Sequence, residues 1–278
     1  MTGTDSERRD REMDLLLEAV AEVYGYDFRQ YAAGSLKRRI SLWLAGSGFP
    51  SFAAALPRLV REPLLFEDFL SGVTVNVSEM FRDPQVFRLI RHQVVPHLKT
   101  YPFVKIWHAG CAGGEEVYSM AILLEEEGLA GRFRIYATDI DRRALQKAKD
   151  GIYPVREMRQ FTRNYRESGG TRPFSDYYTA CYDHALLSPA LREHVVFAAH
   201  NLASDSDFGE MHMVFCRNVL IYFQESLKKR ALDLFHQSLV PGGFLCLGTK
   251  ETLAWGAMAP HFKEIAAHSR VYRKRYAD

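Results

Sequence analysis

The feature that most constrains the fold is an alternation of short apolar strands with helical segments in the second part of the chain. Predicted strands cover residues 104–108, 133–138, 195–199, 213–216 and 244–248, and predicted helices cover residues 115–127, 142–149 and 224–239. Strands joined by helices run in the same direction and are covered on both faces, so the pattern predicts an α/β fold with a mostly parallel sheet. Residues 262–267 and 270–276 follow without an intervening helix, which predicts an antiparallel pair at the end of the sheet.

The residues before this alternation are predicted to be helical. Apolar residues at helical spacing lead up to Gly25, and a second helix is predicted from Ser35, as its N-cap, to Gly46. Shorter helices are predicted at residues 52–60 and 64–70.

Three regions follow from these patterns. We predict a helical domain over residues 1–72 and a linker with one helix over residues 73–98. In this linker Asp83 is the predicted N-cap and Pro84 opens the helix. An α/β domain over residues 99–278 carries a polar, aromatic insertion at about residues 154–192 that fits the strand–helix rhythm poorly.

Charge and cysteine usage exclude several classes of function. The chain has 36 Lys and Arg against 34 Asp and Glu, a formal charge of +2, which provides no broad surface for nucleic acid. Its four cysteines form no C-x-x-C pair and its histidines lack metal-ligand spacing, so no metal site is predicted. No segment reaches about 18 uninterrupted apolar residues, and residues 1–11 are polar. We expect a cytoplasmic monomer without membrane insertion.

A loop of small residues after the first strand indicates the ligand. Residues 107–116 read W-H-A-G-C-A-G-G-E-E, and their glycine spacing is not G-x-G-x-x-G. Glu115 and Glu116 occupy the helix start, where a pyrophosphate would otherwise bind. Carboxylates repel phosphate, so NAD is disfavoured, and no Walker A sequence is present for ATP. S-adenosylmethionine fits better because it carries a sulfonium and a ribose diol but no phosphate.

Polar residues also follow the other strands. Asp139 ends the second strand, where an acid can accept hydrogen bonds from both ribose hydroxyls. Asn201 and Leu202 follow the third strand, and Arg217 and Asn218 follow the fourth. The carboxyl ends of parallel strands share one edge of the sheet, which predicts a common crevice. Turn capping is the alternative explanation for either asparagine taken alone.

Several segments occur together in the order and at the intervals of a known family. They are N-V-S-E-M-F-R-D at residues 76–83, W-H-A-G-C-A-G-G-E-E-V-Y-S-M-A at 107–121, A-T-D-I-D at 137–141, F-C-R-N-V-L-I-Y-F at 215–223 and L-V-P-G-G-F-L-C-L-G at 239–248. The chain thus resembles, over residues 30–275, the CheR family of chemotaxis-receptor methyltransferases. The resemblance implies a class I S-adenosylmethionine-dependent methyltransferase fold, preceded by a small all-α domain and carrying a small β-rich insertion.

The resemblance also implies roles for individual residues. It implies cofactor contacts from Asn76, Ser78, Arg82, Gly110, Glu115, Glu116, Asp139, Asn201, Leu202, Arg217 and Asn218, with Glu115 favoured over Glu116. It places Arg82 and Tyr222 at the reacting centre. The basic run Lys37, Arg38 and Arg39 would recognise acidic receptor helices.

The implied activity is methyl transfer from S-adenosylmethionine to glutamate side chains in the cytoplasmic domain of a methyl-accepting chemoreceptor, with S-adenosylhomocysteine as the product. A glutamate carboxylate has a reference pKa of about 4.3 and is already the nucleophile at neutral pH. The absence of a triad or metal cluster is therefore expected. The alternative is a regulatory module that binds S-adenosylmethionine or a receptor without catalysis. Nucleic-acid methylation is disfavoured because residues 215–218 read F-C-R-N rather than N-P-P-Y/F.

Overall fold

The structure is a computed structural model that describes residues 3–207, 209–253 and 258–276. Its helices are α1 (Gly3–Tyr24), α2 (Ala33–Ser47), α3 (Phe52–Leu59), α4 (Pro63–Val73), α5 (Pro84–Leu89), α6 (Val95–Leu98), α7 (Glu115–Leu124), α8 (Arg142–Asp150), α9 (Val155–Glu167), α10 (Pro189–Glu193) and α11 (Glu225–Ser238). Its strands are β1 (Val104–Ala109), β2 (Phe133–Asp139), β3 (Ile152–Pro154), β4 (Tyr178–Cys181), β5 (His184–Leu187), β6 (Val195–Ala199), β7 (Met211–Cys216), β8 (Leu239–Leu247), β9 (Phe262–Glu264) and β10 (Val271–Lys274). Within the described ranges, no helix is both long and apolar enough to cross a membrane.

Helices α1 to α4 pack around their own apolar core. Leu16, Ile40 and Phe69 are fully buried in it, at the helical spacing that the sequence indicates. Helix α2 begins at Ala33 and has no side-chain cap, so the prediction of Ser35 as its N-cap is wrong. The backbone just before α2 instead pairs with the α/β domain, where the N–H of Ala32 donates to the carbonyl of Tyr222.

The main sheet has seven strands in the order β6-β2-β1-β7-β8-β10-β9. Strands β6, β2, β1, β7 and β8 are parallel, and β10 pairs antiparallel with both β8 and β9. This arrangement confirms the predicted fold class, a mostly parallel sheet with an antiparallel strand at its end. Strands β2 and β6 lie on one side of β1, and strands β7 and β8 lie on the other. Strands β1 and β7 therefore flank a topological switch point, where ligands bind in open α/β sheets.

The insertion forms a separate three-stranded antiparallel sheet in the order β3-β5-β4. This confirms the β-rich insertion, although its first strand starts at Ile152, two residues before the predicted limit. Helix α9, which lies within it, was not predicted. Met158, Phe161 and Tyr165 are its buried residues at helical spacing, and this is the signal that identifies it in retrospect.

The linker joins the two domains through a partly buried turn at residues 80–83. Asp83 stands at the N-cap position before Pro84, as predicted, but its φ of 53° is left-handed and its side chain does not cap the helix. The carboxylate instead pairs with Arg217. The domain limits at residues 72 and 98 stay a prediction.

Candidate active site

A cavity of about 430 Å³ lies at the carboxyl edge of the parallel strands, a size typical of small-molecule sites. Its walls come from the segments that follow β1, β2, β6, β7 and β8, together with the linker and helix α2. The predicted site residues that line it are Arg39, Asn76, Ser78, Arg82, Gly110, Glu116, Asp139, Asn201, Leu202, Arg217, Asn218 and Tyr222. Lys37, Arg38 and Glu115 are not among its lining residues.

The loop after β1 approaches the cavity with its backbone. Gly110 has a φ of 77°, and a Cβ atom built there would lie 2.5 Å from Cγ2 of Val219. Gly114 has a φ of 85°, and a Cβ atom there would lie 2.8 Å from Cβ of Ala148. Glycine is therefore required at both positions by conformation and by space. The hydroxyl of Tyr153 stabilises this loop by donating to the carbonyl of Gly113 at 2.6 Å.

The two glutamates at the start of α7 point in different directions. Glu115 is buried beside the Nζ atom of Lys147 at 3.1 Å and does not reach the cavity. Glu116 lines the cavity and pairs with Arg217. Glu116, and not the favoured Glu115, is therefore the glutamate placed to meet a ligand in the cavity, because consecutive helical residues point about 100° apart. The cofactor contact itself stays a prediction.

Asp139 presents a buried carboxylate at the end of β2. Oδ2 accepts a hydrogen bond from the backbone N–H of Ala112 at 2.8 Å, and Oδ1 accepts one from that of Asp141 at 2.9 Å. Each oxygen has a second lone pair, so both can also accept from a ribose hydroxyl. Burial raises the pKa of Asp139 to about 6, so the carboxylate is mainly ionised at neutral pH.

Asn76 connects the linker to this region. Its Nδ2 atom donates to Oδ2 of Asp141 at 2.6 Å, and the hydroxyls of Ser71 and Thr74 donate to the same oxygen at 2.8 and 3.3 Å. Oδ1 of Asp141 caps α8 by accepting from the backbone N–H of Arg143 at 2.8 Å. The side chain of Asn76 thus lines the cavity and also fixes the linker against α8.

Asn201 closes a turn at the same edge. Its Oδ1 atom accepts from the backbone N–H of Ala203 at 2.9 Å, and its own N–H donates to Asp205 at 2.9 Å. Turn capping therefore accounts for its side-chain oxygen, while the residue still forms part of the wall together with Leu202.

Arg217 is a buried cation with two acidic partners. Its guanidinium pairs with Glu116 and Asp83 and also donates to the carbonyl oxygen of Arg82 at 3.0 Å. Its charge is thereby compensated, and the side chain holds the turn at residues 82–83 in place. The guanidinium of Arg82 lines the cavity and has no ion pair or hydrogen bond to any side chain in the described ranges.

The loop after β7 depends on a residue that the sequence analysis missed. Asn218 has a φ of 60°, and Oδ1 of its side chain is buried without a hydrogen-bond partner in the described part of the chain. The carboxylate of Glu251 accepts from the backbone N–H groups of Asn218 at 3.0 Å, Ile221 at 3.3 Å and Gly248 at 2.6 Å. Glu251 follows β8, so the rule used for the other four strand ends would have found it.

The helical domain forms the remaining wall. The backbone N–H of Ala32 donates to the carbonyl of Tyr222 at 2.7 Å, and that of Gln224 donates to the carbonyl of Gln30 at 2.8 Å. The guanidinium carbon of Arg39 lies 4.9 Å from the ring centroid of Tyr222. The basic run is therefore divided: Arg39 faces the cavity, whereas its two neighbours Lys37 and Arg38 are exposed.

These residues fit S-adenosylmethionine. Gly110 and Cys111 bring the β1 loop into the cavity wall, and the carboxylate of Asp139 has free lone pairs for a diol. The unpartnered Oδ1 atom of Asn218 can accept a hydrogen bond from an amino group, and the guanidinium of Arg82 can donate to a carboxylate. A neutral diol, an amine and a carboxylate are all present in this cofactor.

Comparison with known proteins identifies the family. A family profile described as "CheR methyltransferase, all-alpha domain" matches residues 11–74, and one described as "CheR methyltransferase, SAM binding domain" matches residues 76–271. The chain is 48% identical over 271 residues to "Putative methyltransferase Cher3" of Pseudomonas putida, covering 98% of this chain and 99% of that relative. It is 31% identical over 248 residues to a "Chemotaxis protein methyltransferase" of Listeria innocua, covering 88% and 92% of the two chains.

A third relative, "Chemotaxis protein methyltransferase 2" of Pseudomonas aeruginosa, is 32% identical over 231 residues, covering 80% of this chain and 78% of that one. The two profiles match consecutive parts of this chain, and each of the three relatives aligns with at least 80% of it. The chain therefore belongs to the CheR family of S-adenosylmethionine-dependent chemotaxis methyltransferases.

Proposed function

We propose that the protein methylates glutamate side chains in the cytoplasmic domain of a methyl-accepting chemoreceptor. The observation that carries this proposal is Arg82, a guanidinium that lines the cavity without an acidic partner among the described residues. A cation in that position favours an anionic acceptor over a neutral hydroxyl or amine. The names of the Listeria and Pseudomonas aeruginosa relatives support a chemotaxis substrate.

The proposed reaction needs no general base. When bound, S-adenosylmethionine supplies a methyl group on a sulfonium, and its transfer forms a C–O bond, breaks the S–C bond, leaves that electron pair on sulfur and moves no proton. The residues of the chain therefore bind, align and exclude water. Leu202 and Phe223 are buried apolar parts of the cavity wall that exclude water from the reacting groups.

The proposed cofactor residues fall into groups according to the part of S-adenosylmethionine that each would contact. Gly110 and Asp139 would contact the ribose side, and Asn201, Leu202 and Asn218 would flank the adenine. Asn76 and Ser78 would close the site from the linker. Glu116, Arg217 and Asp83 would act as an ion-pair cluster that shapes the wall near the methionine portion.

Arg82 and Tyr222 would face the reacting centre. Arg82 would orient a carboxylate through a fork-shaped contact, either that of the acceptor glutamate or that of the cofactor. Tyr222 would position the acceptor, since the Ala32 hydrogen bond holds its backbone in place.

Receptor recognition would begin outside the cavity. Lys37 forms an ion pair with Asp10 at 3.1 Å, and Arg38 is exposed on the next position of α2. Exposed cations would attract acidic receptor helices and speed the encounter. Arg39, which belongs to the same basic run, would act closer to the chemistry.

The decisive test is methyl transfer from labelled S-adenosylmethionine to a purified chemoreceptor cytoplasmic fragment. We expect label that mild base releases as methanol, because carboxylate esters are base-labile and methylated amines are not. The matched control is a fragment whose acceptor glutamates are replaced by glutamine, which should take up no label. Binding of S-adenosylhomocysteine by calorimetry without any transfer would favour the regulatory module instead.

A further inference from the structure

Lys250 is a cation at the rim of the cavity. It lines the cavity from the turn that follows β8, and it is exposed to solvent. Its ammonium forms no ion pair and no hydrogen bond within residues 3–207, 209–253 and 258–276. The side chain is therefore available to an anion that approaches the cavity from outside.

The turn that carries Lys250 has a fixed position. The backbone N–H of Glu251 donates to the carbonyl of Gly248 at 2.9 Å, and the carboxylate of Glu251 accepts from the backbone N–H of Gly248 at 2.6 Å. The same carboxylate accepts from two backbone N–H groups of the loop after β7, at 3.0 and 3.3 Å. That loop leads to Tyr222, so Lys250 starts from a fixed backbone beside the residue proposed to position the acceptor.

The exposure of Lys250 distinguishes it from the cations deeper in the cavity. Arg217 is buried and ion-paired, and Arg82 is partly buried. Methyl transfer requires the reacting groups to be in line and shielded from water. An exposed ammonium is strongly hydrated and sits on a flexible four-carbon stem. It is poorly suited to align a reacting carboxylate, but it can pair with a carboxylate that stays at the rim.

A protein substrate brings such side chains to the rim. The acceptor glutamate enters the cavity with its side chain, while the neighbouring residues of the substrate remain outside. In a helical substrate, the side chains three and four positions away lie on the same face as the acceptor. An acidic side chain at one of these positions would reach the rim together with the acceptor. Its attraction to a fixed cation would favour that register of the substrate over others.

We propose that Lys250 is a specificity-determining residue that pairs with an acidic side chain three or four positions from the acceptor glutamate. This inference rests on the proposed function and deepens it. It states which glutamates the protein methylates, namely those with a second acid on the same face of the substrate helix. The pair forms outside the reacting centre, so it selects the acceptor and leaves the chemistry unchanged.

A charge exchange between the protein and its substrate tests the inference. The substrate is the chemoreceptor cytoplasmic fragment, in which acids three or four positions from a labelled acceptor are replaced by glutamine or lysine. Lys250→Met should raise KM for the unmodified fragment about fivefold at low ionic strength without changing kcat, the upper range for an exposed ion pair. Lys250→Glu should raise KM about tenfold, because repulsion replaces attraction. The lysine-substituted fragment should restore most of that loss, which a purely structural role for Lys250 would not allow.

Two matched controls accompany the exchange. Lys229→Met removes an exposed lysine of α11 that does not line the cavity, and it should leave KM unchanged. Acids two positions from the acceptor point about 200° away from it on a helix, so replacing them by lysine should restore nothing. The melting temperature and the affinity for S-adenosylhomocysteine, within about twofold, should stay the same in both Lys250 variants, because Lys250 has no side-chain partner in the described residues.

Three results would overturn the inference. They are an equal KM in wild type and Lys250→Met, a defect of Lys250→Glu that the lysine-substituted fragment does not reduce, and a tenfold loss of S-adenosylhomocysteine affinity, which would assign Lys250 to the cofactor. If the wild-type protein transfers no methyl group to the fragment, the proposed function fails. Calorimetry of the fragment with the S-adenosylhomocysteine complex, using the same charge exchange, then still decides the role of Lys250, and a fragment that does not bind overturns it.

Discussion

The two ends of the cavity differ in how their polar groups are satisfied. At the proposed cofactor end, both oxygens of Asp139 already accept backbone hydrogen bonds, and Oδ1 of Asn201 accepts another. At the proposed acceptor end, Arg39 and Arg82 line the cavity and form no ion pair in the described ranges. The first end is organised before a ligand arrives and suits neutral hydroxyl groups. The second presents guanidinium groups that form no direct ion pair in the described residues, and it suits anions.

This difference predicts two kinds of mutational effect. Removing a cofactor-end group takes away both a ligand contact and hydrogen bonds that hold the protein together, so affinity and stability should fall together. Removing an unpaired cation takes away only a ligand contact, so turnover should fall while stability is kept or improved.

Arg82→Ala should give the largest effect. We expect kcat/KM for methyl transfer to fall about 100-fold, which corresponds to about 3 kcal/mol for a lost charged contact. The melting temperature should change little, because Arg82 has no acidic partner in the described structure. Calorimetry with S-adenosylhomocysteine and with its decarboxylated analogue reports which carboxylate Arg82 holds. If the variant loses stability in proportion to activity, the contrast between the two ends is wrong.

Asp139→Ala should come next, with S-adenosylhomocysteine bound about 30-fold more weakly, or about 2 kcal/mol. An ionised carboxylate accepts from both ribose hydroxyls more strongly than a protonated one, and burial raises the pKa of Asp139 to about 6. Wild-type affinity should therefore be constant above pH 7 and fall as the pH drops through about 6. In Asp139→Ala this dependence should disappear. Calorimetry across the pH range measures both effects, and an unchanged pH profile in the variant would contradict the ribose assignment.

The sequence predicts the cofactor end more completely than the acceptor end. Asp139 and Gly110 lie at strand ends, and the strand–helix alternation alone brings such positions together. The opposite wall depends on contacts between distant segments. Which residue of the run 37–39 faces inward follows from how α2 packs on Tyr222, and the partners of Arg217 depend on the fold of the linker. The spacing of residues along the chain predicts neither the inward direction of Arg39 nor the partners of Arg217.

Glu115 and Glu251 illustrate the same limit at single residues. Adjacent glutamates at a helix start look equivalent in sequence, and only the position of Lys147 on α8 shows that Glu115 turns away. Glu251 follows a strand end, but its three backbone contacts arise because two loops meet at that point.

Glu251→Gln should have an intermediate effect, about a tenfold decrease in kcat. The amide would direct N–H groups at backbone donors, so the loop that carries Asn218 and Tyr222 would lose its alignment. S-adenosylhomocysteine affinity should fall less than kcat does if the change acts mainly on acceptor positioning. The control is Glu225→Gln, whose side chain is 90% exposed and pairs only with Lys228. Equal losses in both variants would exclude a specific role for Glu251.

Arg38→Gln should give the smallest effect and the one most sensitive to salt. Arg38 is exposed on α2, next to Arg39 but outside the cavity, so it can act on receptor encounter and not on alignment. We expect kcat/KM to fall about threefold at low ionic strength and to match wild type at about 0.5 M salt, where exposed charges are screened within a few ångströms. Arg39→Gln should lose activity at both salt concentrations, because a carboxylate bound in a buried cavity is screened far less. Both variants are measured in the same salt series. A loss of activity that salt abolishes in Arg38→Gln but not in Arg39→Gln would show that Arg38 acts on receptor encounter and Arg39 on binding. A parallel salt dependence would mean that the two arginines act alike.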